Sequence, residues 1–542
     1  MDLFKKLIFI ALILFFGTSC RDNDSINEVF RYNENAGILT LDPAFAKDLP
    51  HIWACNQLYN GLVELDSSMM VKPSLAKRWI VSKDGLTYTF YLRNDVTFHD
   101  HPAFNGQTRK LEAGDFVYSF NRFLDEKLAS PGIWIFNQVK RKDDVLDITA
   151  LDDTTLQIQL IRPFPAFLSL LGMAYASAVP KEVVLQEGND FRRNPCGTGP
   201  FYFKYWEEGV RLVLRRNQDY FEIEDGKHLP FLEAVSVSFL TDRQTAFMEF
   251  IKGNLDFMSG IDARYKDELL TRQGMLRSKY QSRIKLQREP FLNTEYLGFF
   301  IGADSRAAQS PQKQKALRQA INYGIDREKM LKYLRNNIGV PGHGGMIPKG
   351  LPGYDYSQTI GYRYDYERAK KLIEINNLKG AVIKVSVTAD YVDLVKYVQS
   401  QLDQLGLEVR VEVMPTATLR EMRAFGKLDV FRASWVADYP DGENYLSLFY
   451  HPNQSPAGPN YTHFNDKNFD RMFEASYEET DPQKRAEQYR QMDSMVMEQA
   501  PVVVLYYDEV LRFIHKNIKG LAGNPSNQLD LKRVYKQDLL AE

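Results

Sequence analysis

Ile383-Lys-Val-Ser-Val-Thr-Ala-Asp-Tyr-Val-Asp-Leu-Val-Lys-Tyr-Val-Gln-Ser-Gln-Leu-Asp-Gln-Leu-Gly-Leu-Glu-Val-Arg-Val-Glu-Val413 decides the fold class. Ile383 to Thr388 is a short run rich in β-branched residues, the signature of a strand. From Tyr391 to Leu405 the period changes: Leu394, Tyr397, Val398, Leu402 and Leu405 fall on one helical face. Gly406 ends that helix, and Leu407 to Val413 is a second strand. A short helix from Leu419 to Phe425 then leads to a third strand, Leu428 to Ser434. Strand–helix–strand units of this kind make parallel sheets with right-handed crossovers. The three strands therefore end on one side, where Asp390, Pro415 and Asp438 emerge. Ligands of open α/β sheets sit outside that carboxyl edge.

The third strand runs into Asp429-Val-Phe-Arg-Ala-Ser-Trp-Val-Ala-Asp-Tyr-Pro-Asp441. Asp438 stands in the turn beyond the strand, and a carboxylate there can receive a cationic ligand group, such as the free amino end of a peptide. A competing role is a helix cap, but Asp441-Gly442 is better placed to cap the helix that contains Tyr445 to Phe449.

The rest of the chain reads as alternating hairpins and helices. Trp79 to Arg93 is a hairpin turning at Asp84-Gly85, and Leu146 to Leu160 another about Asp152-Asp153. A third hairpin, Phe201 to Trp206 and Val210 to Arg215, follows Gly197-Thr-Gly-Pro200. A phosphate-binding reading of those glycines fails because a strand, not a helix, comes next. Val235 to Leu240, Arg243 to Ile251 and Leu255-Asp-Phe257 form one more strand–helix–strand unit.

Lys5 and Lys6 followed by the apolar run Leu7 to Phe16 read as an export signal, too short to span a bilayer. Gly17-Thr-Ser-Cys20 resembles the lipobox of bacterial lipoproteins, which implies lipidation of Cys20 and anchoring to a membrane. Residues 1–19 are thus expected to be a signal peptide and 20–27 a polar tether. The 542 residues suggest about three domains. Net charge is −2 with Lys and Arg dispersed, so no nucleic-acid partner is expected. Beyond Cys20, Cys55 and Cys196 could pair in an oxidising compartment, though spacing alone leaves that open. The 30 Tyr and 34 Phe fill a core and could also furnish a ligand cleft.

Ten landmarks in order include Leu41-Asp-Pro43, Asn56-Gln-Leu-Tyr-Asn-Gly-Leu-Val63, Gly197-Thr-Gly-Pro-Phe201, Leu317-Arg-Gln-Ala-Ile-Asn-Tyr-Gly-Ile-Asp-Arg327 and Trp435-Val-Ala-Asp-Tyr-Pro-Asp441. In this series, residues 28–535 resemble solute-binding protein family 5, the extracytoplasmic oligopeptide- and dipeptide-binding lipoproteins of ABC importers. The resemblance implies an α/β, two-lobed periplasmic-binding-protein fold (type II, class C) with an extra α+β domain inserted in the first lobe. Lobe I would comprise 28–66, 193–290 and 506–542, the inserted domain 67–192 and lobe II 291–505, hinged near Pro290 and Tyr507. It implies further that Asp438 holds a peptide's α-ammonium, that Arg432 meets a carboxylate, that Trp435 lines the cleft, and that Leu49 lies where the first lobe touches peptide backbone. Arg432 could instead pair with Asp438 or Asp429. The implied partners are a short peptide, an ABC permease with its ATPases, and the membrane through a lipid anchor. The chain is expected to be a monomer of the cell envelope, periplasmic or at the cell surface.

His99-Asp-His101 offers two histidines in a turn but no third ligand, so no metal is expected. Gly342-His-Gly-Gly345 reads as a flexible turn near the cleft mouth. No cofactor motif and no catalytic constellation stands out, which argues against an enzyme. Competing readings are the same scaffold with an oligosaccharide, opine or metal-chelate ligand, a glycosidase-like surface enzyme, and a peptide-holding sensor or chaperone.

Overall fold

The computed structural model describes residues 28–262, 264–302, 310–354 and 360–537. The signal segment, the tether and Cys20 lie outside the described residues. One eleven-stranded sheet runs through the molecule. Its principal strands are β1 (Val29–Asn33), β2 (Phe201–Glu207), β3 (Arg211–Arg216), β4 (Ala234–Ser238), β5 (Phe257–Ser259), β6 (Ile284–Phe299), β7 (Val382–Val387), β8 (Glu408–Val413), β9 (Val430–Val436) and β10 (Val502–His515). Their spatial order is β2-β3-β4-β1-β5-β10-β6-β9-β7-β8, and Val340–Pro341 adds a short strand to β10.

The segment that opened the sequence reading folds as expected. β7 lies between β8 and β9 and pairs parallel with both. Helix α3 (Val392–Asp403) follows β7 and α4 (Thr416–Ala424) follows β8; earlier in the chain stand α1 (Leu49–Leu58) and α2 (Arg243–Lys252), and later α5 (Pro482–Gln499). Val395, Val398 and Leu402 on α3 share one buried cluster with Ile383, Val385 and Val387 of β7. Each such side chain contributes roughly 1.5–3 kcal/mol relative to exposure, so the helical stripe holds α3 on the sheet face. In the first half of the sheet, α2 is capped by the Asp242 carboxylate, which accepts from the Thr245 amide at 2.8 Å, and ends at left-handed Gly253.

Two long strands join the halves. β6 and β10 pair antiparallel from Ile284↔His515 to Pro290↔Glu509; the register breaks, then resumes from Thr294↔Tyr507 to Gly298↔Val502. Pro290 has no N–H to give the ladder, and it stands at the edge of that break.

A separate four-stranded sheet, ordered Ala76–Val81, Thr87–Leu92, Thr155–Gln159, Ile148–Asp152, lies between β1 and β2 in the chain. It contains the hairpins expected at Asp84-Gly85 and Asp152-Asp153. Gly197 and Gly199 pack on the end of α1, where a Cβ on either would collide with the Leu58 backbone. Their absent side chains permit a close approach that the Gly199 amide seals with a 2.9 Å bond to the Leu58 carbonyl. Among the described residues, no helix is long and apolar enough to cross a membrane.

Candidate functional site

β9 sends alternate side chains to opposite faces, so Arg432 and Trp435 do not share one. On the Arg432 side, the antiparallel register sets Leu297 opposite Arg432 and Glu295 opposite Ser434. That diagonal brings Glu295 to the guanidinium in a bidentate pair, Nη2 to Oε2 at 2.5 Å and Nε to Oε1. Glu295 is 1% exposed. Its carboxyl is pushed up to about 7 by burial, against the opposing pull of Arg432. The guanidinium carbon also lies 3.3 Å from the centroid of the Tyr391 ring. Arg432 thus pairs with neither Asp438 nor Asp429, the two partners weighed from sequence. A lone Glu directly before the apolar run Tyr296-Leu-Gly-Phe-Phe300 was the available signal, since a buried carboxylate requires a partner.

Trp435 is half-buried, and its indole N–H donates to Asn444 Oδ1 at 2.8 Å. Asp438 is exposed. Protein nonetheless surrounds it closely enough that lost hydration raises its carboxyl above the ordinary value, with a hydrogen bond from Asn444 opposing the rise. Among the described residues, no basic side chain and no backbone amide bonds to the Asp438 carboxylate. Gly442 is the N-cap of the short helix Glu443–Leu446, and Asp441 just before it is buried and accepts from the Glu443 amide at 3.0 Å.

Leu49 opens α1, which Asp48 caps; it is half-buried against the main core. Tyr175, from the segment that carries the smaller sheet, connects this end of α1 to Asp438. Its hydroxyl is pushed up to about 12 by burial and then by the charges of Asp438 and Asp48. Asp48 and Asp438 therefore act on one tyrosine from separate parts of the chain. Beside them, Trp134 and Phe164 pack on Tyr439, with ring centroids at 6.4 and 6.2 Å. Phe164 and Arg162 cover Tyr477. Tyr439 and Tyr477 both donate to the buried Glu443, Tyr477 at 2.9 Å.

The turn beyond β9 is tied to the break between the long strands. The Leu292 carbonyl accepts from the Ala437 amide at 2.9 Å and from the Tyr445 hydroxyl at 2.7 Å. Gly342-His-Gly-Gly345 is held rather than flexible. Tyr507 accepts from the Gly344 amide at 2.9 Å and donates to the Gly345 carbonyl at 2.7 Å. A Cβ at Gly342 would meet Val504 Cγ1 at 2.5 Å, so close packing on β10 demands the glycine.

The histidine pair has structural work. His99 Nε2 donates to the Gly199 carbonyl at 2.9 Å, leaving Nδ1 to accept from the Gly197 amide; burial lowers its pKa to about 4. His101 caps the next turn by accepting from the Ala103 amide. Among the described residues, no cluster of three or more His, Cys, Asp or Glu is arranged to hold a metal ion. Cys55 and Cys196 are both free and buried. A cavity of about 580 Å³ lies elsewhere, lined by Tyr59, Ser74, Glu64, Glu222 and Lys532. Its buried ammonium is neutralised by Glu64 at 2.8 Å and Glu222 at 2.7 Å, so volume there and the open carboxylate at Asp438 do not coincide.

A two-lobed α/β molecule whose sheet is crossed by paired strands, with an accessible carboxylate at the carboxyl edge of one half, has the architecture of a solute-binding protein. The chain belongs to the bacterial extracellular solute-binding proteins, family 5, whose model matches residues 70–457. It is 26% identical to a dipeptide-binding protein of Escherichia coli, over 86% of this chain and 87% of that one. It is 25% identical to heme-binding protein A of Haemophilus influenzae, over 92% and 91%. The structure of HbpA2 from Haemophilus parasuis superposes with a TM-score of 0.82 at 22% identity, covering 94% of this chain and all of that one.

Proposed function

We propose that this protein is an exported, lipid-anchored monomer that captures short peptides between its lobes and delivers them to an ABC permease and its ATPases. The observation that carries the reading is the Asp438 carboxylate: accessible, partly dehydrated and without a cationic partner among the described residues. An α-ammonium supplies the missing charge through a charge-assisted hydrogen bond worth about 1.5–3 kcal/mol. Arg432 is engaged with Glu295 and stacked on Tyr391, so any contact it makes with a ligand carboxylate uses the Nη1 edge. Trp435 and Leu49 supply apolar walls, and the free edge atoms of β9 suit an extended peptide backbone. Lobe I is assigned to 28–66, 193–290 and 506–542, the inserted domain to 67–192 and lobe II to 291–505. The register break between Pro290 and Thr294 supports a hinge there. Cys20 is the proposed lipid attachment site.

Calorimetry with trialanine and N-acetyl-trialanine tests the reading. Acetylation removes the positive charge, and the expected result is a loss of affinity of about tenfold or more. Equal affinities would overturn the role of Asp438. A non-peptide solute is the second reading, favoured by the near-equal identity to the heme-binding relative. Mass spectrometry of copurifying ligand separates the two.

A further inference from the structure

Resting on the ligand role of Asp438, we propose that Asn444 is the positioning residue of this cleft, a single carboxamide that sets the Trp435 indole, the backbone at Asp438 and the Asp438 carboxylate together. Asn444 is 5% exposed. It stands in the short helix Glu443–Leu446, whose start Asp441 fixes through the Glu443 amide and through its own carbonyl, which accepts from the Asn444 amide at 3.2 Å. From there its side chain reaches back across the turn. Oδ1 accepts from Trp435 Nε1 at 2.8 Å and from the Asp438 amide at 3.3 Å.

Both of those partners are obligate donors, since an indole N–H and a backbone N–H accept nothing. The orientation of the carboxamide is therefore fixed: oxygen toward Trp435 and the Asp438 backbone, Nδ2 left as a donor. That donor opposes the dehydration of the Asp438 carboxyl. The other titratable groups that feel Asp438 are Tyr175 and Tyr445, with Asp441 and Glu443 in the following turn. None of these is a cation, so among the described residues Asn444 is the group that attends the carboxylate while the cleft is empty. An aspartate at this position would still accept from Trp435 but would set a second negative charge beside Asp438. An alanine would delete the donor.

The test reads the Asp438 carboxyl directly by carbon NMR of aspartate-labelled protein, assigned with D438N. N444D is expected to raise its titration midpoint by about one pH unit or more and to weaken trialanine binding by about tenfold. N444A, which adds no charge, must move the midpoint in the same direction. In N444A, a residue that merely packs would lower thermal stability and leave that midpoint in place, which would overturn the proposal. The parent reading fails separately: trialanine affinity unchanged in D438N removes the ligand role of Asp438 without altering the NMR result.

Discussion

Arg432 and Asp438 stand six positions apart around the end of β9, and the fold treats their charges in opposite ways. Arg432 is enclosed, paired through two nitrogens with Glu295 and stacked on Tyr391. Asp438 is accessible, and only an uncharged amide attends it. On the proposed reading, the difference separates a charge that serves folding from one held in readiness. A buried ion pair satisfies itself in the empty protein and offers a ligand little. An unpaired carboxylate, dehydrated on several sides, gains only when a cation arrives.

The largest expected effect breaks the enclosed pair. Glu295→Ala strands the Arg432 guanidinium in the interior and should cost about 3–5 kcal/mol of stability, read as a drop in the denaturant midpoint at constant slope. Glu443 sharpens the contrast, because it is a buried carboxylate satisfied by neutral hydroxyls. Burial pushes its carboxyl up to about 7, so the folded chain takes up that proton more readily than the unfolded chain. Its contribution to stability is fully present below the ordinary glutamate value and is lost as pH rises toward about 7. The effect is on the order of 3 kcal/mol. Glu443→Gln should flatten that part of the stability profile between pH 4.5 and 7, and an unaltered profile would assign the slope to other groups. The smallest effect on folding belongs to Asp438→Ala. Its midpoint should stay near that of the parent, while peptide affinity falls by about 1.4 kcal/mol or more. A large loss of stability instead would place Asp438 with Arg432 as a structural charge.

The sequence carried the parts of this molecule that local periodicity controls. The stripe from Leu394 to Leu405, the Asp84-Gly85 turn and the third hairpin each declare themselves within some fifteen residues, and each forms as read. The same holds for Asp441-Gly442, rather than Asp438, at the start of the short helix Glu443–Leu446. What local pattern cannot carry is a partner brought in by sheet register. Glu295 lies 137 positions from Arg432, and nothing near Arg432 points to it. Asn444 escaped notice for a related reason: its importance comes from a side chain folding back over a turn. Gly342-His-Gly-Gly345 was misread as flexible because glycine signals conformational freedom and close packing with the same letter. Here Val504 and Tyr507 select the second meaning. The two-lobed plan came from resemblance, since interruption of one lobe by another leaves no local trace.

Leu292 sits inside the register break between the long strands. Its amide donates to the Pro525 carbonyl at 2.9 Å, and its carbonyl receives the Ala437 amide and the Tyr445 hydroxyl. One residue thus has a bond to the C-terminal tail on one side and to the turn that holds Asp438 on the other. Ladders zipped above and below an unzipped stretch bend with little loss and resist sliding. With the hinge proposed above, motion between the lobes would turn about this residue as a door turns about its pin, and the turn that holds Asp438 would travel with the axle rather than with the outer rim.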